Sequence, residues 1–202
     1  MTHALRFRRD TALLALALAI VAGPASAHLV STGLGPAYDG ISHFLLSPEF
    51  VAPVLGLALF AGLRGPDHAR CALFAVSGAW FVSGLLGIAP PAGLASSLTT
   101  AAIFLALGGL LAADASLSLA LTTAVAVIAG LLGGAMSTAA AGTLQFTGLL
   151  GVTAAVFVLT ALVSSLIVPL RIAWLRVAVR VAGSWLAALG LLLVGWAIRT
   201  GA

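Results

Sequence analysis

Long apolar runs, separated by short turn segments, dominate the chain. Most approach the ~20 residues that a helix needs to cross about 30 Å of hydrocarbon. They lack the alternation of apolar and polar positions that is typical of transmembrane β-strands. The pattern predicts six membrane-spanning helices, at residues 50–64, 71–89, 93–113, 116–136, 147–169 and 178–198.

The N-terminal segment has a different pattern, that of a secretory signal. Three arginines lie in residues 1–10, an apolar stretch of about 12 residues follows, and Ala25-Ser26-Ala27 closes the segment. We therefore predict a signal peptide at residues 1–27, whose cleavage leaves His28 as the mature N-terminus. The alternative is an uncleaved first helix. After cleavage, residues 28–202 are predicted to form a single transmembrane domain.

Composition also favours a membrane protein. Of the 202 residues, 62% are hydrophobic and 7% are charged, whereas a soluble domain has about 25% charged residues. Within lipid, every backbone polar group must be paired inside the protein, as it is in a helix. The predicted fold is therefore an all-α, polytopic transmembrane helix bundle whose main partner is the lipid bilayer. All nine basic residues are arginines without a basic patch or motif, so no nucleic acid is expected to bind.

The arginine positions predict how the bundle is oriented. Cleavage of a signal peptide leaves His28 on the outer side of the membrane. Six spans then place five loop arginines on the cytoplasmic side and only Arg199 outside, in agreement with the positive-inside rule. We expect a multi-pass protein of the bacterial inner membrane whose mature N- and C-termini are both periplasmic.

The predicted periplasmic segment, residues 28–49, holds the residues best suited to metal binding. Asp39 and His43 are four positions apart, so a helix there would place both side chains on one face. As a new N-terminus, His28 would add its α-amine and its imidazole. Such ligands suit nickel, copper or zinc. We predict a metal site formed by His28, Asp39 and His43. A hydrogen-bonded surface pair is the alternative, and no firmly bound cofactor is expected.

Other polar residues carry weaker signals. Glu49 is a further candidate ligand, but Ser47, Pro48 and Glu49 together are also typical of a helix start. Met136 and Gln145 border a predicted outer connection, where a soft ion could touch them. No Asp, Glu, Lys or His lies in the middle of a predicted span, which argues against a proton-coupled transporter with a buried charged site.

The sequence contains none of the motifs that mark common enzyme sites. It has no phosphate-binding glycine loop, no HExxH motif and no Ser/His/Asp triad, so we predict that the protein is not an enzyme. Its single cysteine, Cys71, excludes an intramolecular disulfide and a CxxC site. Glycine pairs, such as Gly130 with Gly134 and Gly148 with Gly151, indicate close helix packing.

One combination of features resembles a known family. The signal ending Ala25-Ser26-Ala27, the following His28, and the sequence from Gly40 through His43 to Leu46 before a six-helix body are similar to the HupE/UreJ family of small bacterial membrane proteins. Members accompany hydrogenase and urease clusters and are regarded as nickel or cobalt permeases. Their signature is near H-P-x-x-G-x-D-H. Here Pro36 stands in place of the first His and Ser42 in place of the Asp, so the resemblance implies a divergent member.

Three functions remain open at this point. The first is a membrane metal permease or metal-handling protein, for nickel, cobalt or copper, that captures a divalent ion on the periplasmic side. The second is a non-transporting membrane subunit or assembly factor that packs against a partner or a second copy through small-residue faces. The third is a channel or flippase for a small neutral molecule, which the nearly uncharged interior permits.

Overall fold

The computed structural model describes residues 32–87, 97–141, 146–169 and 173–200, and every regular element in these ranges is an α-helix. The helices are α1 (Pro36–Leu46), α2 (Pro48–Arg64), α3 (Pro66–Leu85), α4 (Ser97–Ala112), α5 (Leu119–Ala141), α6 (Phe146–Ile167) and α7 (Ala173–Thr200). The predicted signal peptide, the new N-terminus at His28, and Gln145 lie outside the described residues.

Helices α2 to α7 overlie the six apolar runs that the sequence marks as spans. Within the described ranges, three segments are long and apolar enough to cross a bilayer, at Leu119–Thr138, Phe146–Ile167 and Arg176–Arg199. Helices α1 and α2 meet the same criterion only as a pair, bent by 75° at Ser47. The described part of the chain is thus all-helical, with three or four apolar helical segments suited to lipid.

Helix α2 is the centre of the bundle. It contacts every other described helix, whereas α4 pairs mainly with α7, α3 with α5, and α1 with α6. Because its apolar residues continue around the whole helix, burial on all sides is the stable arrangement. Phe60 and Leu57 of this helix are buried completely, together with Val76 of α3 and Val156 of α6.

Glycine lets the helices approach until backbone meets backbone. A Cβ atom on Gly130 or Gly134 would collide with backbone atoms of α3. A Cβ atom on Gly151 would collide with the backbone of Ala37, and one on Gly40 of α1 would collide with the backbone of Gly148. The packing role predicted for these four glycines is confirmed.

The connection between α2 and α3 corrects one sequence-based prediction. Residues 64–70 were expected to form a cytoplasmic loop, but the helical break is confined to Gly65, whose φ is 110°. Such a left-handed φ suits glycine, and the following Pro66 starts the next helix at its first position. Asp67 and His68 therefore lie in the first turn of α3 rather than in a loop.

Candidate functional site

The break between α1 and α2 creates the site. Ser47 separates the helices with an extended backbone, and Pro48 and Glu49 begin α2 as predicted, although the Ser47 side chain makes no capping hydrogen bond. Because α1 turns away by 75° and packs on α6, its inner face covers one end of the bundle. His43 and Phe44 belong to that inner face and are buried.

Asp39 lies in the first turn of α1, where its carboxylate is held by the preceding turn. Its Oδ1 atom accepts hydrogen bonds from the Thr32 backbone N–H at 2.6 Å and from the Thr32 hydroxyl at 2.7 Å. Hydrogen bonds donated to a carboxylate stabilise its ionised form. The segment is helical, as the placement of Asp39 and His43 on one face required.

His43 follows Asp39 by one helical turn but faces the protein interior. Its side chain is 7% exposed, and its ring packs on Phe50 of α2 with 5.9 Å between the ring centroids. No three His, Cys, Asp or Glu side chains of the described ranges are grouped so that they could hold a metal ion. The third predicted ligand, His28, lies outside those ranges, so the three-residue metal site stays a prediction.

A small cavity lies beneath this end, between α2, α3, α4 and α5. Its water-accessible volume is about 20 Å³, which is enough for one water molecule or one ion of similar size. Glu49 is the only charged residue in the wall, which is otherwise apolar apart from a few polar atoms. Thr100 and Met136 also line it, so two polar residues of the predicted spans and Glu49 meet at one place.

Two residues of the cavity wall, Trp80 and Pro53, are associated with polar groups that lack a usual hydrogen-bond partner. Trp80 is 2% exposed, and its indole Nε1 has no hydrogen-bond partner among the described residues. Pro53, another wall residue, lies inside α2. Because proline has no N–H, it cannot donate the helical hydrogen bond to the carbonyl of Glu49. The residues that line the cavity therefore include a carboxylate (Glu49), a hydroxyl (Thr100), a thioether (Met136) and an indole (Trp80).

The opposite end of the bundle carries the arginine cluster, which we define as Arg64, Asp114, Arg176 and Arg180. Arg64 donates to Asp114 at 2.9 Å, with side-chain exposures of 12% and 23%, and lies over the Phe60 ring at 5.1 Å. Arg176 approaches the second Asp114 oxygen at 3.5 Å, and Arg180 Nε donates to the Ala112 carbonyl at 3.0 Å.

Charge is therefore divided between the two ends. The exposed pair of Asp67 and Arg70, joined at 2.8 Å, lies at the end of the arginine cluster. At the other end the described charges are Asp39, Glu49 and Arg199. One end is rich in arginine, and the end around the α1–α2 break has more carboxylates than cations.

Sequence reasoning missed two contributors to this site. Trp80 packs in edge-on contact with Phe44 and Phe50, with 5.7 Å and 5.9 Å between the ring centroids. The sequence gives no signal that Trp80 lines a cavity, because a tryptophan within an apolar run does not indicate which neighbouring helix its side chain will face. Pro53 did carry a signal, since an internal proline in a predicted span marks a carbonyl without its helical donor.

No protein-family model matches the chain, and neither a curated protein nor a solved structure matches it. The resemblance to the HupE/UreJ family thus rests on the residues given above.

Proposed function

We propose that the protein is a multi-pass inner-membrane protein that captures a transition-metal ion at the end of the α1–α2 break. In this proposal the signal peptide at residues 1–27 is removed, α2 to α7 are the six spans, and α1 covers the periplasmic end. The arginine cluster then faces the cytoplasm, as the positive-inside rule requires. Nickel, cobalt and copper are the candidate ions.

The observation that supports this function is the placement of ligand-type residues on α1 and at the start of α2, where Glu49 lines the cavity. His43 and Glu49 flank the α1–α2 break and Asp39 lies at the start of α1, while the described arginines other than Arg199 lie at the other end. An excess of carboxylates attracts cations to a surface. His28, four residues before Thr32, would bring its amine and imidazole to the same end.

The cavity supports a route inward from this capture site. A volume of about 20 Å³ admits an ion only after most of its water has been removed. Glu49 would then balance part of the ion's charge, and the Met136 thioether and Thr100 hydroxyl would replace lost water. A thioether favours softer metals such as copper over nickel and cobalt. Met136 in the cavity wall therefore favours copper among the three candidate ions.

Metal uptake by intact cells tests this proposal. The strain lacks its other importers and produces the wild type, His43→Phe, Asp39→Asn or His68→Gln. His43→Phe keeps a ring against Phe50 but removes both ligand nitrogens. His68→Gln is the matched control, because His68 lies at the opposite end and bonds Thr122 at 3.0 Å. We expect uptake to fall at least tenfold in the first two variants and to stay unchanged in the control.

Other outcomes would redirect the interpretation. Unchanged uptake in His43→Phe and Asp39→Asn, at equal protein levels, would refute metal capture at this end. Recovery of one stoichiometric membrane partner without metal would favour the non-transporting subunit. Helix α7 would be its natural contact, because Trp185, Leu192 and Ile198 are each at least 70% exposed on it. A channel for a small neutral molecule would conduct without dependence on His43.

A further inference from the structure

The arginine cluster has more cations than its single carboxylate can pair. Asp114 already accepts from Arg64 at 2.9 Å, and this contact is the shorter and less exposed of its two. The contact of Arg176 with the same carboxylate is long, at 3.5 Å, and the Arg176 side chain is 59% exposed. With three guanidinium groups and one carboxylate, the cluster therefore carries a net charge of two positive.

The two arginines of α7 are placed to act together. Arg176 and Arg180 are one helical turn apart, so their guanidinium groups emerge on the same side of the helix. Arg180 uses its Nε atom to bond the Ala112 carbonyl at the end of α4. That bond holds the side chain across the α4–α7 contact through Nε alone, and Arg180 as a whole remains exposed. Planar guanidinium groups arranged in this way suit a phosphate, which they can bind with two hydrogen bonds each.

Apolar surface begins directly beside these charges. Val177 and Val181 each follow one of the two arginines and are 60% and 49% exposed. Trp185, one turn further along α7, is 73% exposed, and Trp174 at the start of the helix is 65% exposed. Exposed tryptophan near a helix end is typical of the headgroup level of a bilayer. Because a helix turns by about 100° per residue, these valines lie on the face that adjoins the arginines. A phosphate held by Arg176 and Arg180 would therefore lie at the edge of an apolar helix face.

We propose that Arg176 and Arg180 form a binding site for the phosphate of an anionic phospholipid, whose acyl chains lie on the adjoining face of α7, which begins at Val177 and Val181. We expect a ligand that has both a phosphate and acyl chains, because inorganic phosphate would bind the arginines but would not contact the apolar face. Basic residues at the membrane surface attract anionic lipids over neutral ones. Asp114 lies between Arg64 and Arg176, with one carboxylate oxygen near each of them. This inference does not depend on metal transport.

Retention of lipid by the purified full-length protein tests the proposal. The protein is placed in nanodiscs of phosphatidylglycerol and phosphatidylcholine at one to three, and the lipids retained after release into detergent are measured by native mass spectrometry. We expect the wild type to retain phosphatidylglycerol preferentially. The double variant Arg176→Gln/Arg180→Gln should lose at least tenfold of that preference. Arg176→Lys/Arg180→Lys, which keeps charge but not the planar group, should lose less.

The matched control removes two arginines elsewhere. Arg70→Gln/Arg199→Gln lowers the net charge equally, and Arg70 is 69% exposed in a pair with Asp67. Its lipid preference should equal that of the wild type. Equal retention of both lipids by the wild type, or equal loss in the control and the α7 variant, would overturn the proposal. Inorganic phosphate distinguishes the two sources of phosphate: displacement of the lipid by a few millimolar phosphate would mean that the anion alone is the ligand.

Discussion

Replacement of Gly134 by alanine measures how closely α3 and α5 are packed. A Cβ atom at this position would lie 2.5 Å from the Trp80 carbonyl oxygen and 3.0 Å from Ser83 Cβ. Ordinary contacts between such atoms are about 3.5 Å or longer, so the helices must move apart by about 1 Å. The backbone cannot rotate out of the way as a side chain could.

Several contributions set the magnitude. Overpacking of a filled interior costs about 1–3 kcal/mol. The separation also stretches the hydrogen bond from Ser83 Oγ to the Leu131 carbonyl, which is 2.8 Å long and contributes about 1 kcal/mol. The better helix propensity of alanine returns about 1 kcal/mol. We therefore expect Gly134→Ala to lower the free energy of unfolding by about 2 kcal/mol.

Gly78→Ala is the control, because it changes the same residue type on α3 where nothing lies within 4 Å of the added atom. It should leave stability unchanged or raise it by up to about 1 kcal/mol. The assay is denaturant-induced unfolding in detergent, followed by circular dichroism, for both variants and the wild type. Equal stability of Gly134→Ala and Gly78→Ala would refute the close approach of α3 and α5.

Two further predictions concern charge and processing. Asp114→Asn should destabilise the protein by about 3 kcal/mol, because it leaves the mostly buried Arg64 without its carboxylate, whereas Asp67→Asn removes an exposed pair worth under about 1 kcal/mol; thermal unfolding of both variants compares them, and equal effects would contradict this reasoning. The intact mass of protein purified from membranes should correspond to a chain beginning at His28; a mass that includes residues 1–27 would show that the segment is an uncleaved helix.

The positions of the helices could be predicted from the sequence, because a long apolar run has few other ways to pair its backbone in lipid. Helices α4 and α6, for example, lie within three or four residues of the expected spans. The largest differences are of five residues: α3 begins at Pro66 instead of residue 71, α5 ends at Ala141 instead of residue 136, and α7 begins at Ala173 instead of residue 178. The Gly65-Pro66 pair is itself a sequence signal for a helix end followed by a start.

Helix pairing could not be predicted in this way. When all sides of a helix are apolar, the sequence gives no face that must turn inward, so the contact of α4 with α7 had no periodic signal. The predicted spans end at residues 64 and 113, so Arg64 and Asp114 were both expected at the cytoplasmic ends of helices. Their ion pair could not be predicted, because it joins residues 50 positions apart in the chain. The proximity of Glu49, Thr100 and Met136 likewise depends on which helices are neighbours.

The pairing of α4 with α7 has a consequence for how the chain is assembled during synthesis. Gly108 of α4 packs against the backbone of Ala187 and Gly183, so its partner surface leaves the ribosome about 80 residues later, several seconds at ordinary elongation rates. Similarly, α1 cannot form its main helix contact until α6 has been synthesised. Until these late helices enter the membrane, α2 provides the main surface that can retain the early ones. A chain truncated before α7 should therefore expose the small-residue face of α4 to the insertion machinery and to membrane proteases.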